Sequence, residues 1–200
     1  MFTGIITDIG RVRSSQVTGA GAGEGRLFTI ETAFDTQTVA IGASIACAGA
    51  CMTVVEKGED WFSVEVSAES LSKTTLGSWG EGTRINLERA MCLGDELGGH
   101  IVSGHVDGVG ELIARTADGD SQRYTFRAPE NLAKYLAPKG SVTIDGVSLT
   151  VNDVTDNEFG VNLIPHTQTV TTLGALQTGA KVNLEIDMLA RYVARLLGKE

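Results

Sequence analysis

The chain has 200 residues and a formal net charge of −9 at pH 7. An acidic surface repels phosphates and anionic lipids, so nucleic acid and membranes are disfavoured as partners. No apolar run approaches the ~20 residues that span a bilayer, and the first residues lack the pattern of a secretory signal. The chain has three cysteines, Cys47, Cys51 and Cys92, which is an odd number. We therefore expect free thiols in a reducing cytoplasm.

The first predicted element is a short strand over residues 5–12, followed by a glycine-rich run at residues 19–25. A glycine-rich loop that binds phosphate needs a helix directly behind it. Residues 26–32 instead alternate in the manner of a strand. The run therefore predicts a hairpin connection, and residues 118–120 predict the equivalent turn later in the chain.

The body of the chain predicts many short strands separated by Gly, Asn and Asp turns, which is the pattern of a small closed β-barrel. Short helices are predicted over residues 33–41 and 130–137, and a linker over residues 91–99. The predicted strands are residues 44–48, 51–56, 61–67 and 83–89, and again 141–145, 148–154, 158–164 and 180–186.

The last predicted element is a helix over residues 188–197, with Asp187 at its N-cap. The apolar residues of this helix share one face and are Leu189, Tyr192, Val193, Leu196 and Leu197. A helix of this length is marginal in water unless that face packs on something. The pattern leaves two partners equally open: the chain's own barrel, or the same helix in neighbouring subunits.

Residues 42–90 and 139–187 are two copies of one pattern, related by a constant shift of 97 positions without a gap. Fourteen of the 49 aligned pairs are identical, and each copy holds one Thr-Thr-Leu-Gly block and one Asn-Leu-Glu block. Residues 2–12 similarly resemble residues 102–112. A unit of this size is one small β-domain, so the chain is expected to be two such domains in tandem.

The duplication divides the chain into three predicted segments. A first barrel is expected over residues 1–97 and a second over residues 98–187. The amphipathic helix forms a third segment at residues 188–200, because it has no equivalent in the first copy except the linker.

The histidines and cysteines do not follow a metal-binding pattern. His100 and His105 have odd spacing, which on a strand would send their side chains to opposite faces and makes them poor joint metal ligands. Cys47 and Cys51 have even spacing, but Gly49 between them is expected to bend the strand. His105 suits proton transfer near pH 7 and Cys51 suits nucleophilic attack, although packing is the commoner role for a single residue of either type.

A polar set lies at the strand ends of the second copy and consists of Lys139, Asp145, Ser148 and Thr150. Ordinary turn and sheet residues would give the same pattern, so residue type alone assigns these four no role. The sequence contains no phosphate loop and no motif for a hydride-carrying cofactor. A site of hydroxyls, amides and one or two titrating groups is therefore expected, suited to a polar, uncharged ligand.

Several motifs follow one another along essentially the whole chain. They are MFTGII at residues 1–6, GGHIVSGH at 98–105, IDGVSLTV at 144–151, IPHT at 164–167, and the doubled TTLG and NLE blocks. Together they resemble the riboflavin synthase family of the α-chain type. The resemblance implies an all-β fold of two tandem six-stranded Greek-key barrels plus a C-terminal α-helix, assembled as a homotrimer.

The resemblance also implies an activity, the dismutation of two molecules of 6,7-dimethyl-8-ribityllumazine. One molecule gives a four-carbon unit to the other, which yields riboflavin and 5-amino-6-ribitylamino-uracil. No cofactor and no metal is implied. Each barrel is expected to bind one lumazine, with the working site between the N-barrel of one subunit and the C-barrel of the next.

The resemblance assigns roles residue by residue. His105 is the expected base for the acidic C7 methyl group of the lumazine. The residues expected to hydrogen-bond the partner molecule are Ser148, Thr150 and Asp187. The implied catalytic set is His105, Cys51, Ser148, Thr150 and Asp187. The implied ligand-binding set is Ser44, Gly49, Thr53, Lys139, Asp145, Gly146, Ile164, His166 and Thr167.

The first copy departs from the family pattern at two places. Ala48 stands where many members have Asn, and Glu69 stands where the second copy has His166. Two alternatives remain, a lumazine- or flavin-binding protein without catalysis and the flavin domain of a reductase. Both copies keep their Gly, Thr, TTLG and NLE positions, which favours the enzyme. A reductase would also need a nicotinamide-binding domain.

Overall fold

The structure is a computed structural model that describes residues 1–19 and 23–199. It contains two closed antiparallel barrels of six strands each. The first barrel consists of β1 (Asp8–Thr18), β2 (Gly25–Glu31), β3 (Ser44–Cys47), β4 (Ala50–Lys57), β5 (Trp61–Val66) and β6 (Arg84–Arg89). The second consists of β7 (Gly108–Asp118), β8 (Ser121–Arg127), β9 (Ser141–Ile144), β10 (Val147–Thr155), β11 (Glu158–Leu163) and β12 (Lys181–Ile186).

Both barrels have the same strand order. Around the first barrel it is β1-β2-β5-β4-β3-β6, and the second repeats it with β7-β8-β11-β10-β9-β12. Three consecutive hairpin strands lie beside a fourth that arrives by a longer connection, which is the Greek-key arrangement. The predicted all-β fold of two six-stranded barrels is confirmed.

In the part of the chain that the structure describes, four short α-helices accompany the strands: α1 (Ala68–Lys73), α2 (Glu130–Ala133), α3 (Pro165–Val170) and α4 (Met188–Leu196). The prediction of a helix over residues 33–41 was wrong in extent, because only a 3₁₀ turn at Thr36–Thr38 forms there. The helix predicted over residues 130–137 is likewise reduced to the single turn of α2. The hairpin connection predicted at residues 19–25 lies partly outside the described residues.

Alternation of apolar and polar residues gives each barrel its own core. In the first barrel Phe28 packs edge-on against Trp79 with ring centroids 5.5 Å apart. In the second Phe126 stacks on Phe159 at 5.8 Å. Strand bulges fall at matching places in the two copies, between Val54 and Glu56 and between Val151 and Val154. The duplication is therefore preserved in strand register as well as in sequence.

The two barrels touch through their chain-start segments and their β-turns. Phe2 and Val102 form an isolated antiparallel bridge. Gly49 and Gly146 face each other across the contact, and both have positive φ angles, 81° and 83°. A Cβ atom built on Gly49 would lie 2.7 Å from the backbone nitrogen of Gly146. Only glycine permits this approach at these two turns.

Asn86 on β6 carries the polar part of the barrel contact. Its side-chain nitrogen donates to the carbonyl of Asp145 at 2.9 Å, and its side-chain oxygen accepts from the amide of Thr172 at 2.7 Å. Asn183 on β12 makes the reciprocal pair of bonds to the first barrel. The contact between the barrels therefore follows a pseudo-two-fold axis.

Helix α4 projects its apolar face into solvent in the single chain. Leu189 is 63% exposed and Leu196 is 85% exposed. Of the two partners left open by the sequence, packing on the chain's own barrel was wrong. Asp187 caps the helix by accepting from the Leu189 amide at 2.9 Å, as predicted. No helix within the described ranges is long and apolar enough to cross a membrane.

Candidate functional site

A cavity of about 280 Å³ opens on the first barrel. It lies between the outer face of β4, helix α1 and residues 104–106 of the second half of the chain. Cys51 and His105 both line it. The structure therefore brings together two of the residues in the implied catalytic set, from opposite halves of the sequence.

Strand alternation places Cys51 on the outer face of β4. Its neighbours Ala50 and Met52 are buried in the barrel, whereas Cys51 is half-buried. The amide of Cys51 donates to the carbonyl of Gly104 at 2.8 Å, and this bond draws the next residue, His105, to the cavity. The His105 side chain is exposed there.

A buried carboxylate holds the segment that carries His105. One oxygen of Glu185 accepts from the amide and the hydroxyl of Ser103, both at 2.7 Å. The other oxygen accepts from the amide of Gly104 at 2.9 Å. Burial raises the pKa of Glu185, and these hydrogen bonds oppose the rise. The second barrel thus fixes the position of a segment that completes the cavity of the first.

The second barrel has the same arrangement in reverse. Glu88 accepts from the amide and hydroxyl of Thr3 and from the amide of Gly4, at 2.7, 2.8 and 3.0 Å. The carbonyl of Gly4 in turn accepts from the amide of Ser148 at 2.8 Å. Ser148 therefore occupies the place in the second barrel that Cys51 occupies in the first.

The shift of 97 positions maps the lining of the first cavity onto the implied ligand-binding set of the second barrel. The cavity beside Cys51 is lined by Ser67, Glu69 and Ser70. The equivalent residues of the second copy are Ile164, His166 and Thr167. Ile164 is the N-cap of α3, and His166 and Thr167 lie in its first turn. Ser67 is likewise the N-cap of α1, so the two helices begin at equivalent positions.

Sequence patterns assign His100 no role in the site, yet the His100 ring contacts Ser148 directly. The Nδ1 atom of His100 and the hydroxyl of Ser148 share a hydrogen bond of 2.7 Å. The Nε2 atom lies 3.2 Å from the hydroxyl of Thr143. Burial lowers the pKa of the imidazole, and the carboxylate of Asp187 opposes that change. Ser148 and Asp187, both in the implied catalytic set, thus lie around one ring.

Four more residues of the predicted sets, three with hydroxyls and one lysine, lie on the strands or in a turn nearby. Thr150 follows Ser148 on the exposed face of β10, and Thr53 follows Cys51 on the exposed face of β4. Ser44 is the register partner of Thr53 on β3. Lys139 lies in the exposed turn before β9 with a φ of 69°. These four do not line the 280 Å³ cavity.

Gly49, Gly146 and Asp145, three members of the implied ligand-binding set, lie in the contact between the barrels. Asp145 is buried, and its carboxylate accepts from the amide of Asn183 at 2.8 Å. Burial raises the pKa of Asp145 to about 7, and the bond from Asn183 opposes the rise. The positions of these three residues indicate a role in holding the barrels together.

A larger cavity of about 660 Å³ lies beneath the linker that follows β6. Thr3, Phe34 and Glu88 are among its lining residues. None of the residues in the implied catalytic or ligand-binding sets lines it. We place the site at the smaller cavity because Cys51 and His105 converge there.

The doubled Asn-Leu-Glu block contained a signal that was not interpreted from sequence. Within each copy the Asn and Glu lie two residues apart and so share one strand face, while the Leu points to the other. Leu87 and Leu184 are buried in the barrel cores. A polar pair repeated on one face of a buried strand predicts a specific polar contact rather than solvent exposure.

Among the described residues no cluster of His, Cys, Asp and Glu is arranged to hold a metal ion.

The fold defines a class: a tandem pair of small closed β-barrels with the same strand order. The lumazine binding domain family matches this chain twice, over residues 3–90 and 103–187. The chain belongs to this family and, within it, to the riboflavin synthases.

The relatives cover nearly the full chain. A riboflavin synthase of Brucella abortus is 56% identical over 98% of both chains. One of Photobacterium phosphoreum is 45% identical, covering 98% of this chain and 89% of its own. Among solved structures, LumP complexed with riboflavin superposes with a TM-score of 0.81 over 93% of this chain and 99% of its own, at 23% identity. That last likeness concerns the fold alone.

Proposed function

We propose that the protein is a riboflavin synthase that dismutates 6,7-dimethyl-8-ribityllumazine. Two identical molecules react, and a four-carbon unit passes from one to the other. The products are riboflavin and 5-amino-6-ribitylamino-uracil, and all atoms and electrons come from the two substrates, so no external oxidant is needed. The observation that carries the proposal is 56% identity to a riboflavin synthase along 98% of both chains.

The residues around the first cavity suit the deprotonation step. Removal of a proton from the C7 methyl group gives an anion that the lumazine ring delocalises, so a modest base is sufficient. Imidazole is a suitable base near neutral pH, and His105 is exposed at the cavity. Cys51 lies beside it as a polarisable contact or nucleophile.

The second barrel supplies hydrogen bonds rather than a base. Ser148 and Thr150 present hydroxyls from one face of β10, and Asp187 lies beyond the end of β12. These groups would hold the partner lumazine through its polar ring atoms, with Ile164 and His166 at the edge of its surface. Stacking two rings face to face would supply much of the acceleration through proximity.

A complete site needs the base of a first barrel and the hydroxyl groups of a second barrel. We propose that these two surfaces meet between subunits, that is, between separate molecules of this chain. The exposed apolar face of α4 would assemble a homotrimer, in which the first barrel of one copy faces the second barrel of the next. The support is that large apolar side chains stay exposed in the single chain, four on this short helix and one at its C-cap: Leu189, Tyr192, Val193, Leu196 and Leu197. The protein would act in the cytoplasm.

The rival function is binding of lumazine or riboflavin without turnover. It is favoured by the likeness to LumP, whose solved structures hold lumazine or riboflavin. Those chains are only 22% and 23% identical to this one. The curated relatives at 56% and 45% identity are riboflavin synthases, which favours the enzyme.

Incubation of the purified protein with the lumazine separates the two functions. The proposal predicts riboflavin formation under EDTA, with a yield that rises well beyond the protein concentration. A binding protein would change the fluorescence of lumazine once, in proportion to the protein present, and form no riboflavin. Loss of activity under EDTA and its recovery with a divalent metal would contradict the metal-free mechanism.

A further inference from the structure

The two copies differ in chemistry at three equivalent positions beside the barrel contact. In the first copy these positions are Ala46, Cys51 and Ala90, which pack with Phe2 and Val102 in a small apolar cluster. The shift of 97 positions places three polar residues at the same sites in the second copy: Thr143, Ser148 and Asp187. All three positions are more polar in the second copy than in the first, which indicates that the second copy accommodates a polar group there.

That group is His100. Its ring is half-buried and lies between the hydroxyls of Ser148, at 2.7 Å from Nδ1, and Thr143, at 3.2 Å from Nε2. Thr143 on β9 is the register partner of Ser148 on β10, so the strand pair presents both hydroxyls side by side. The carboxylate of Asp187 is close enough to act on the ring electrostatically.

We propose that His100 is a positioning residue of the second-barrel site, which fixes the hydroxyl of Ser148 in the one orientation that a bound lumazine requires. The inference deepens the proposed function and rests on it. A serine hydroxyl rotates freely, and one bond to a fixed ring removes that freedom before the ligand arrives. The remaining capacity of the hydroxyl is then directed at a polar atom of the ligand ring.

A histidine suits this task because a neutral imidazole both donates and accepts. Burial lowers the pKa of the His100 ring, and the opposing influence comes from Asp187. One nitrogen can therefore serve Ser148 while the other serves Thr143. Cys51, at the equivalent place in the first copy, packs instead against the apolar cluster of Phe2, Ala46 and Val102.

Two amide substitutions, each of which reproduces the place of one ring nitrogen, separate positioning from packing. In His100→Asn the amide occupies the place of Nδ1 and can still reach Ser148. In His100→Gln the amide occupies the place of Nε2 and reaches Thr143 instead. The inference predicts that His100→Gln lowers kcat about tenfold, as expected for one lost hydrogen bond in the transition state, and that His100→Asn keeps most of the activity. Equal losses in the two variants would contradict positioning.

A double-substitution cycle tests whether the effect passes through Ser148. In a Ser148→Ala background, His100→Gln should produce no further loss of kcat. A tenfold loss that persists in that background would overturn the inference, because His100 would then act on something else. Equal thermal midpoints of the single variants would show that the loss of kcat is not a folding defect.

A readout without turnover keeps the inference separate from the proposed function. The ¹⁵N signals of the His100 ring should shift in Ser148→Ala, whereas those of His105 should not. Unchanged His100 signals would contradict the hydrogen bond itself. If the hydrogen bond is present but the unaltered protein forms no riboflavin, the proposed function fails, and the role of His100 in turnover fails with it.

Discussion

Asn86 and Asn183 occupy equivalent positions in the two barrels, and the side chain of each forms hydrogen bonds with backbone groups of the opposite barrel. Asn86 bonds the carbonyl of Asp145 and the amide of Thr172. Asn183 bonds the carbonyl of Ala48 and the amide of Thr75, both at 2.8 Å. The NLE block of each barrel therefore binds the TTLG block of the opposite barrel. This explains why the two blocks occur together in both copies.

Loss of either asparagine should destabilise the protein. Asn86→Ala leaves a buried carbonyl and a partly buried amide without their partners, so the free energy of unfolding should fall by about 2–4 kcal/mol. The matched control is Asn162→Ala, an exposed strand position whose substitution should stay within about 0.5 kcal/mol. Denaturant titration at constant pH measures both. Equal small effects would show that the bonds between the barrels add little to stability.

The buried carboxyl of Asp145 should make stability depend on pH. Burial raises its pKa to about 7 from an ordinary value of 3.8. Between those two values the folded state binds a proton that the unfolded state has lost, so stability falls as pH rises from about 4 to about 7. A shift of this size corresponds to at most about 4 kcal/mol. Burial raises the pKa values of Glu88 and Glu185 as well, so they add in the same direction.

Asp145→Asn should remove the contribution of Asp145. Asn tolerates the positive φ of 45° at this position and can still accept from the Asn183 amide. The stability advantage of the variant over the unaltered protein should therefore grow between pH 4 and pH 7. Asp156→Asn is the control, since Asp156 also has a positive φ, 53°, but is exposed. Parallel stability curves for Asp145→Asn and the unaltered protein would refute the assignment.

His105→Gln should lower turnover more than binding. A general base contributes about 100-fold or more, so kcat should fall by at least that factor while riboflavin affinity changes little. His166→Gln is the comparison, because its implied role is ligand binding and its main effect should be on KM. Steady-state kinetics and fluorescence titration report the two quantities. A His105→Gln protein with a lower melting point but normal turnover per folded molecule would indicate a packing role.

Removal of residues 188–200 should separate the copies without unfolding the barrels. The last strand, β12, ends at Ile186, and both cores are complete without α4. The truncated chain should sediment as a monomer, bind ligand and form no riboflavin. A chain shortened only by residues 199–200 keeps the apolar face and should behave as the full chain does. A folded monomer that still forms riboflavin would break the link between assembly and catalysis.

Most of the fold could be predicted from two features of the sequence, the alternation of apolar and polar residues and the internal duplication. Strands β4 and β10, which occupy equivalent places in the two copies, were each predicted to within one residue at both ends. Helices α1 and α3 were not predicted because six residues are too few for a helical period to show. Their start is set locally, as where the hydroxyl of Ser67 accepts from the Ser70 amide at 3.2 Å.

The site was harder to predict because its contacts join distant parts of the chain. His100 meets Ser148 over a separation of 48 residues, and Ser103 meets Glu185 over 82. Local pattern does not identify the partner in such contacts. The resemblance supplied Cys51 and His105 together, but it gave His100 and the two glutamates no role, because their work is to hold other residues in place.

The mass balance of the reaction tests the central claim most directly. Purified protein is incubated with 6,7-dimethyl-8-ribityllumazine under EDTA, and all three compounds are quantified by chromatography as the reaction proceeds. The account predicts two lumazines consumed for each riboflavin formed, with one 5-amino-6-ribitylamino-uracil released alongside it. Tight binding of lumazine with no riboflavin, or riboflavin formed without the pyrimidine in equal amount, would contradict dismutation.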